Sequence, residues 1–154
     1  MYRLPPPRLE SVDLGALVGE AVAFLSPRAS EHGVDVTVAG DPTWPTVRVD
    51  RAQVGQALVN VVKNAIEAAG RGGWVRARHV VGDDGPRLLV EDSGPGLTDD
   101  ARQNVFTPFF STKEGGQGVG LTLVQEVLAN HGFDFALEST PGAPTTFTIA
   151  FRQR

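Results

Sequence analysis

Between Asp50 and Gly70 lies a helix-length stretch that is apolar on every side but one. At about 100° per residue, Gln53, Gln56, Asn60, Lys63, Asn64 and Glu67 share one stripe about 100° wide. Almost every other position is Val, Leu, Ile, Ala or Gly. Such a helix must be buried over most of its circumference, so its polar stripe has to face water, a polar partner or a ligand. A solvated stripe usually carries Lys and Glu. This one carries four amides, two of them asparagines one turn apart in mid-helix, where asparagine is a mediocre helix former. Asp50 is the expected N-cap, Gln53 three residues on completes a capping-box pattern, and Gly70 ends the helix.

The surrounding elements follow from periodicity. After Asp13, a second N-cap, Leu14, Leu17, Val18, Ala21, Val22 and Leu25 make one helix face running to about Gly33, with Pro27 expected to kink or shorten it. Val34, Val36 and Val38 alternate with Asp35 and Thr37 as a half-buried strand, and a short strand is expected over 46–49. Residues 74–81 and 87–92 read as a hairpin around Asp83-Asp84-Gly85-Pro86. A short helical pattern covers 98–104, an irregular segment 106–118, a last helix runs from about Gly120 to His131, and strands at 133–139 and 145–151 close the chain. The sum predicts an α+β fold, a two-layer α/β sandwich in which about three helices cover one face of a mixed sheet of about five strands. Leu4-Pro5-Pro6-Pro7-Arg8-Leu9 cannot be helical, so residues 1–12 read as an extended linker leading into one domain over 13–154.

Composition narrows the function. With 154 residues, 41% of them hydrophobic, the chain can hold a core without metal or disulfide. It has no cysteine, which excludes thiol catalysis, zinc ribbons and iron–sulfur sites. The formal net charge of −4 lacks the footprint of a nucleic-acid binder. No apolar run is long enough to span a bilayer, and the N-terminus is proline-rich instead of signal-like, so the expected location is the cytoplasm, with no membrane contact by this domain. A larger parent protein can still be membrane-anchored.

Six of the 18 glycines fall between Gly94 and Gly120, in two clusters beside helix starts. Gly115-Gly116-Gln117-Gly118-Val119-Gly120-Leu121 runs into the last helix, where backbone amides and the positive helix end can cradle phosphate oxygens; glycines serving turn geometry alone are the other reading. The segment is not a P-loop, because Leu121 stands where the lysine is required. The dinucleotide fingerprint also fails on spacing. Asp92 arrives at a strand end beside Gly94 and Gly96. It is either a turn cap or an acceptor for an exocyclic amino group such as that of adenine.

Four ordered segments, Asn60-x-x-x-Asn64-Ala65, Asp92-x-Gly94-x-Gly96, Phe106-x-Pro108-Phe109-Phe110-x-Thr112-Lys113 and Gly116-x-Gly118-x-Gly120-Leu121, resemble the N box, first glycine box, F box and second glycine box of GHKL ATP-binding domains. More narrowly, the chain is similar to the catalytic and ATP-binding domain of bacterial two-component sensor histidine kinases. The resemblance implies ATP and Mg²⁺ as cofactors. It places Asn64 on Mg²⁺, Asn60 and Lys63 near the phosphates, and Asp92 on the adenine amino group, with Gly94 and Gly96 letting the backbone approach the base. It makes about 97–118 an ATP lid in which Lys113 meets phosphate, and sets Gly116, Gly118, Val119, Gly120 and Leu121 at the phosphate end of the last helix. Thr145 shares strand parity with Phe147, Ile149 and Phe151, so it should point inward, where its hydroxyl needs a partner such as the base. The sequence departs from the usual pattern in Phe133 after His131-Gly132 and in Pro144 before the final strand.

In hydrolases of this superfamily a glutamate precedes the metal asparagine by one turn. Here that position is Asn60, which takes no proton, so gyrase-like clamps are disfavoured and phosphoryl transfer to a positioned nucleophile is expected. The implied acceptor is a histidine on a separate dimerisation domain joined through residues 1–12, and the implied onward partner is a response regulator receiver domain. His32, His79 and His131 lie in no acceptor motif, and His131 reads as a favourable cation in a last helical turn. The alternatives are a stand-alone serine kinase of the anti-sigma type and a degenerate nucleotide-sensing module that binds a partner without turnover.

Overall fold

A computed structural model describes residues 4–39, 43–94, 118–139 and 144–152. In chain order the elements are β1 (Glu10–Asp13), α1 (Leu14–His32), β2 (Asp35–Val38), β3 (Thr46–Val49), α2 (Arg51–Ala69), β4 (Trp74–Gly82), β5 (Gly85–Asp92), α3 (Gly118–His131), β6 (Asp134–Glu138) and β7 (Thr145–Ala150). Five strands form one sheet in the order β2-β4-β5-β7-β6, with β2 parallel to β4 and the other pairs antiparallel. The expected α+β sandwich is what the chain adopts. The expected short helix at 98–104 and the lid at 97–118, with Gly96, Lys113 and Gly116, lie outside the described residues apart from Gly118.

Alternation decides which face of the sheet is covered. Val75, Ala77, Leu88, Val90, Phe147 and Ile149 are buried on the helix side. The other side carries Arg76 and Arg78, which both bind Glu91 across the β4–β5 pair. Burial by itself would raise the Glu91 pKa, but the hydrogen bonds and charges of Arg78 and Arg76 outweigh it and hold the carboxyl below its usual range. The middle helix α2 packs on both α1 and α3 as well as on β4 and β5. Its buried residues are Val54, Ala57, Leu58, Val61, Val62, Ala65 and Ile66, which at 100° per residue span an arc of about 180° opposite the polar stripe.

Three sequence expectations change. Pro27 does not shorten α1, which continues to His32 with Gly33, its expected end, as C-cap. The carbonyl its ring deprives of a donor belongs to Ala23, and both residues are exposed, so water can take the bond. Residues 10–12 of the expected linker, with Asp13, pair antiparallel with β3 as a separate two-stranded sheet and bury Val12. The capping box at Asp50 closes by half: Asp50 Oδ1 accepts from the Gln53 amide at 3.0 Å, but the Gln53 side chain does not return. Asp50 N–H instead donates to His131 Nε2 at 3.0 Å.

Asp50 therefore sits at a junction. Its Oδ2 accepts from the Arg8 amide at 2.9 Å. Burial raises its carboxyl pKa, and the backbone hydrogen bonds from Arg8 and Gln53 more than offset that, leaving the pKa below the ordinary value. A depressed folded-state pKa contributes stability that is present above the unfolded value, near 4, and is lost as pH falls through the lowered one. Melting temperature measured from pH 7 to pH 2 should accordingly fall less steeply below about pH 4 in Asp50→Asn than in the parent chain. Parallel curves would remove Asp50 from the acid limb.

Candidate functional site

The polar stripe of α2 divides among three tasks. At its start Gln53 bonds the lead-in peptide, donating from Nε2 to the Pro5 carbonyl. At its end Glu67 lies 4.0 Å from Arg28 of α1. Between them Asn60, Lys63 and Asn64 are half-buried. Asn64 Nδ2 donates to the Asn60 carbonyl at 2.8 Å, and since a carbonyl can face only the nitrogen end of an amide, this bond fixes the side chain's orientation. It leaves Asn64 Oδ1 as the amide's remaining acceptor. Lys63 forms no ion pair among the described residues.

Asp92 continues the inward face of β5 after Leu88 and Val90 and is only 5% exposed. Its Oδ1 accepts from the Gly94 amide at 2.8 Å, so it does cap the turn, as one of the two sequence readings had it. The register sets Thr145 of β7 directly opposite Asp92. Thr145 points inward as expected, and its hydroxyl donates to Ser139 Oγ at 3.3 Å. Asp92, Ser139 and Thr145 are the buried polar side chains among the described residues, and all three stand together where β5 and β6 end and β7 begins. Ser139 was missed from sequence. Its signal was the alternation Phe135, Leu137, Ser139, which places its side chain inward at the same end of the sheet.

A glycine brings this cluster to α2. A Cβ on Gly94 would stand 2.7 Å from the Ala68 carbonyl oxygen and 2.7 Å from Asp92 Oδ1. Only a residue without a side chain lets the chain after Asp92 lie on the last turn of α2, one turn beyond Asn64. That close approach is to protein backbone, a requirement the sequence reading did not foresee for Gly94. The last helix also starts earlier than expected: Gly118, Val119 and Gly120 belong to the first turn of α3. The N–H groups of a first turn have no intrahelical acceptor, so the glycine segment delivers backbone donors from the helix itself. Leu121 follows them and packs partly buried on the core.

His131, in the last turn of α3, is engaged at both ring nitrogens. The Asp50 N–H can only donate, so Nε2 carries a lone pair, while Nδ1–H donates to the Val127 carbonyl 2.8 Å away. Among the described residues no cluster of three or more His, Asp or Glu could hold a metal ion.

Comparison with known proteins bears on this arrangement. The family profile described as "Histidine kinase-, DNA gyrase B-, and HSP90-like ATPase" matches residues 49–154. The sensor histidine kinase ZraS of Klebsiella oxytoca is 34% identical over 143 residues, which are 92% of this chain and 31% of that protein. The chain thus spans about a third of the length of the curated relatives it matches. Among solved structures, the catalytic domain of histidine kinase ThkA superposes with a TM-score of 0.83 at 26% identity, covering 95% of this chain and 96% of that one. Full-length ShkA, solved in complex with AMPPNP, gives a TM-score of 0.81 at 31% identity and covers 95% of this chain and 32% of that one. ThkA has also been solved in complex with a response regulator protein, TrrA.

Proposed function

The chain belongs to the histidine kinase-, DNA gyrase B- and HSP90-like ATPases, as an ATP-binding catalytic domain of the sensor histidine kinase kind, and from that premise we propose how its site holds Mg-ATP and where the phosphoryl group goes. The observation that carries the reading is the buried polar cluster of Asp92, Ser139 and Thr145 beside the last turn of α2. A carboxylate kept this dry is costly unless a donor meets it. The Gly94 amide already supplies one such donor, to Oδ1; in this reading the adenine amino group supplies a further one, and Thr145 faces the same base.

Asn64 holds Mg²⁺ through Oδ1, which its bond to the Asn60 carbonyl leaves as the amide's remaining acceptor. Bound Mg²⁺ supplies neutralisation of phosphate charge. Asn60, Lys63 and Lys113 add polar and cationic contacts to the phosphates, and the first-turn amides of α3 add donors aligned with the helix dipole. The family resemblance assigns Gly96 to the base and Gly116 to the phosphates, both outside the described residues. With no carboxylate at position 60 to activate water, the site orients the γ-phosphoryl group for a nucleophile brought from outside.

That nucleophile is a histidine on a separate dimerisation domain, and the phosphoryl group then passes to a response regulator receiver domain. None of the three histidines of this chain is arranged as an acceptor. His131 is bonded at both nitrogens, His32 Nδ1 bonds the Arg28 carbonyl, and the His79 ring nitrogens are buried, with the ring 4.5 Å from Trp44. Among the described residues no helix is long and apolar enough to cross a membrane; we place the domain in the cytoplasm, where ATP and receiver domains are found. The serine-kinase and turnover-free alternatives are not favoured, since the relatives are sensor histidine kinases.

Calorimetric titration with ATP, ADP and GTP, with and without Mg²⁺, tests the reading. Adenine-selective binding that Mg²⁺ strengthens for ATP is expected, and Asn64→Ala should lose most of the Mg²⁺ enhancement while keeping metal-free affinity within about twofold. An unchanged Mg²⁺ response in Asn64→Ala would take the metal away from α2. No binding up to millimolar nucleotide would defeat the site assignment.

A further inference from the structure

The amides at the far ends of the two site helices bind the chain's own lead-in. Gln53 Nε2 donates to the Pro5 carbonyl at 3.1 Å, Asn130 Nδ2 donates to the same carbonyl at 2.9 Å, and Asn130 Nδ2 also meets Gln53 Oε1 at 2.9 Å. The first turn of α2, the last turns of α3 and residue 5 thus close a triangle. A second tie runs beside it, from the Arg8 amide to Asp50 Oδ2 and from the Asp50 amide to His131 Nε2. Leu4 packs against the core. Three consecutive prolines offer carbonyls but no N–H, so residues 5–7 cannot pair as a strand, and side-chain donors from the helices take that place.

The triangle closes at one spacing of α2 against α3. Those are the helices that carry the proposed nucleotide contacts at their other parts: Asn60, Lys63 and Asn64 lie two to three turns along α2, and Gly118 opens α3 about 20 Å from His131 at 1.5 Å per residue. A helix of this length moves as a rod, so a restraint at one end is felt at the other.

We propose that residues 4–9 are a coupling latch, with Gln53 and Asn130 as its positioning residues, and that latch docking and nucleotide occupancy stabilise each other. The proposal rests on the nucleotide reading above. A ligand held between α2 and the first turn of α3 fixes the spacing that the latch fixes from the opposite end, so each lowers the ordering cost of the other. Thermodynamic linkage makes the effect reciprocal: the factor by which the latch strengthens nucleotide binding is the factor by which nucleotide strengthens the latch.

The test is backbone amide exchange at Arg8 in the full chain, with and without saturating Mg-ATP, alongside calorimetry of Asn130→Asp and Gln53→Ala. The Ala16 amide, bonded to Asp13 at the start of α1, serves as the internal reference. Nucleotide should slow exchange at Arg8 about fivefold or more beyond any change at Ala16. Both variants should bind ATP more weakly by a similar factor and lose the nucleotide response at Arg8; Asn130→Asp keeps the shape but turns a carboxylate onto two oxygens. A merely structural latch would lower the melting temperature of the variants and leave Arg8 exchange in the parent chain indifferent to nucleotide. ATP binding by calorimetry with no selective slowing at Arg8 overturns the latch and leaves the nucleotide site standing, whereas absence of ATP binding overturns both. Should either variant fail to fold, exchange in the parent chain decides alone.

Discussion

Asp92→Ala is expected to weaken ATP binding by about a hundredfold or more and to erase the preference for ATP over GTP, with the cooperative unfolding transition retained. A hydrogen bond to a charged group contributes about 1.5–3 kcal/mol, and a site built around a polar pair rejects a ligand that lacks one half by still larger factors. The same substitution removes the acceptor of the Gly94 amide, which should cost about 1–3 kcal/mol of stability. Asp92→Asn separates the two roles. It preserves an oxygen for Gly94, yet it offers amide hydrogens where the adenine amino group needs an acceptor, so the fold should recover while adenine selectivity stays lost. Retained ATP affinity in Asp92→Asn, measured by calorimetry, would reduce Asp92 to a turn cap.

The largest effect on stability is expected from Phe151→Ala, about 3–5 kcal/mol. Phe151 is fully buried and meets Phe133 edge to face at 5.2 Å, while Phe133 lies 5.2 Å from the His131 ring. Its amide also donates to the Pro86 carbonyl, so the residue joins the end of β7 to the β4–β5 hairpin and to the end of α3. Against the 5–15 kcal/mol typical of a domain, the loss leaves a marginal protein. Urea unfolding should show a lower midpoint at an unchanged slope. A loss under about 1 kcal/mol would mean that this end of the core collapses around the vacancy.

Particular elements show why much of the fold was legible in the sequence. The start of α1 at Asp13 and its end at Gly33 follow from a short polar side chain that accepts from the Ala16 amide and a glycine at φ 67°. The hairpin between β4 and β5 follows from a polar turn between two alternating runs. These are local signals, spent within one or two turns of chain. The candidate site was legible for another reason, since four ordered motifs resemble those of one superfamily. Some misses were local, as with Pro27 and Ser139, and the others were long-range. Pro27 was tolerated because the carbonyl it orphaned faces solvent, Gln53 was drawn away from its capping box by Pro5 and Asn130, and His131 was bonded to the opposite end of the chain's middle helix.

The sequence by itself determined the three described helices, the strands apart from β1, the N-caps at Asp13 and Asp50 and the identity of the superfamily, because periods of 3.6 and 2 and a few turn residues act through neighbours along the chain. Tertiary structure alone decided which polar groups meet. Asp92 faces Thr145 through strand register, Thr145 of β7 finds Ser139 just past the end of β6, and Asn130 reaches Pro5 across 125 positions. A side-chain amide or hydroxyl carries no preference for a distant partner. Its partner is set by where packing of the apolar faces brings the backbone, and that is a property of the whole core.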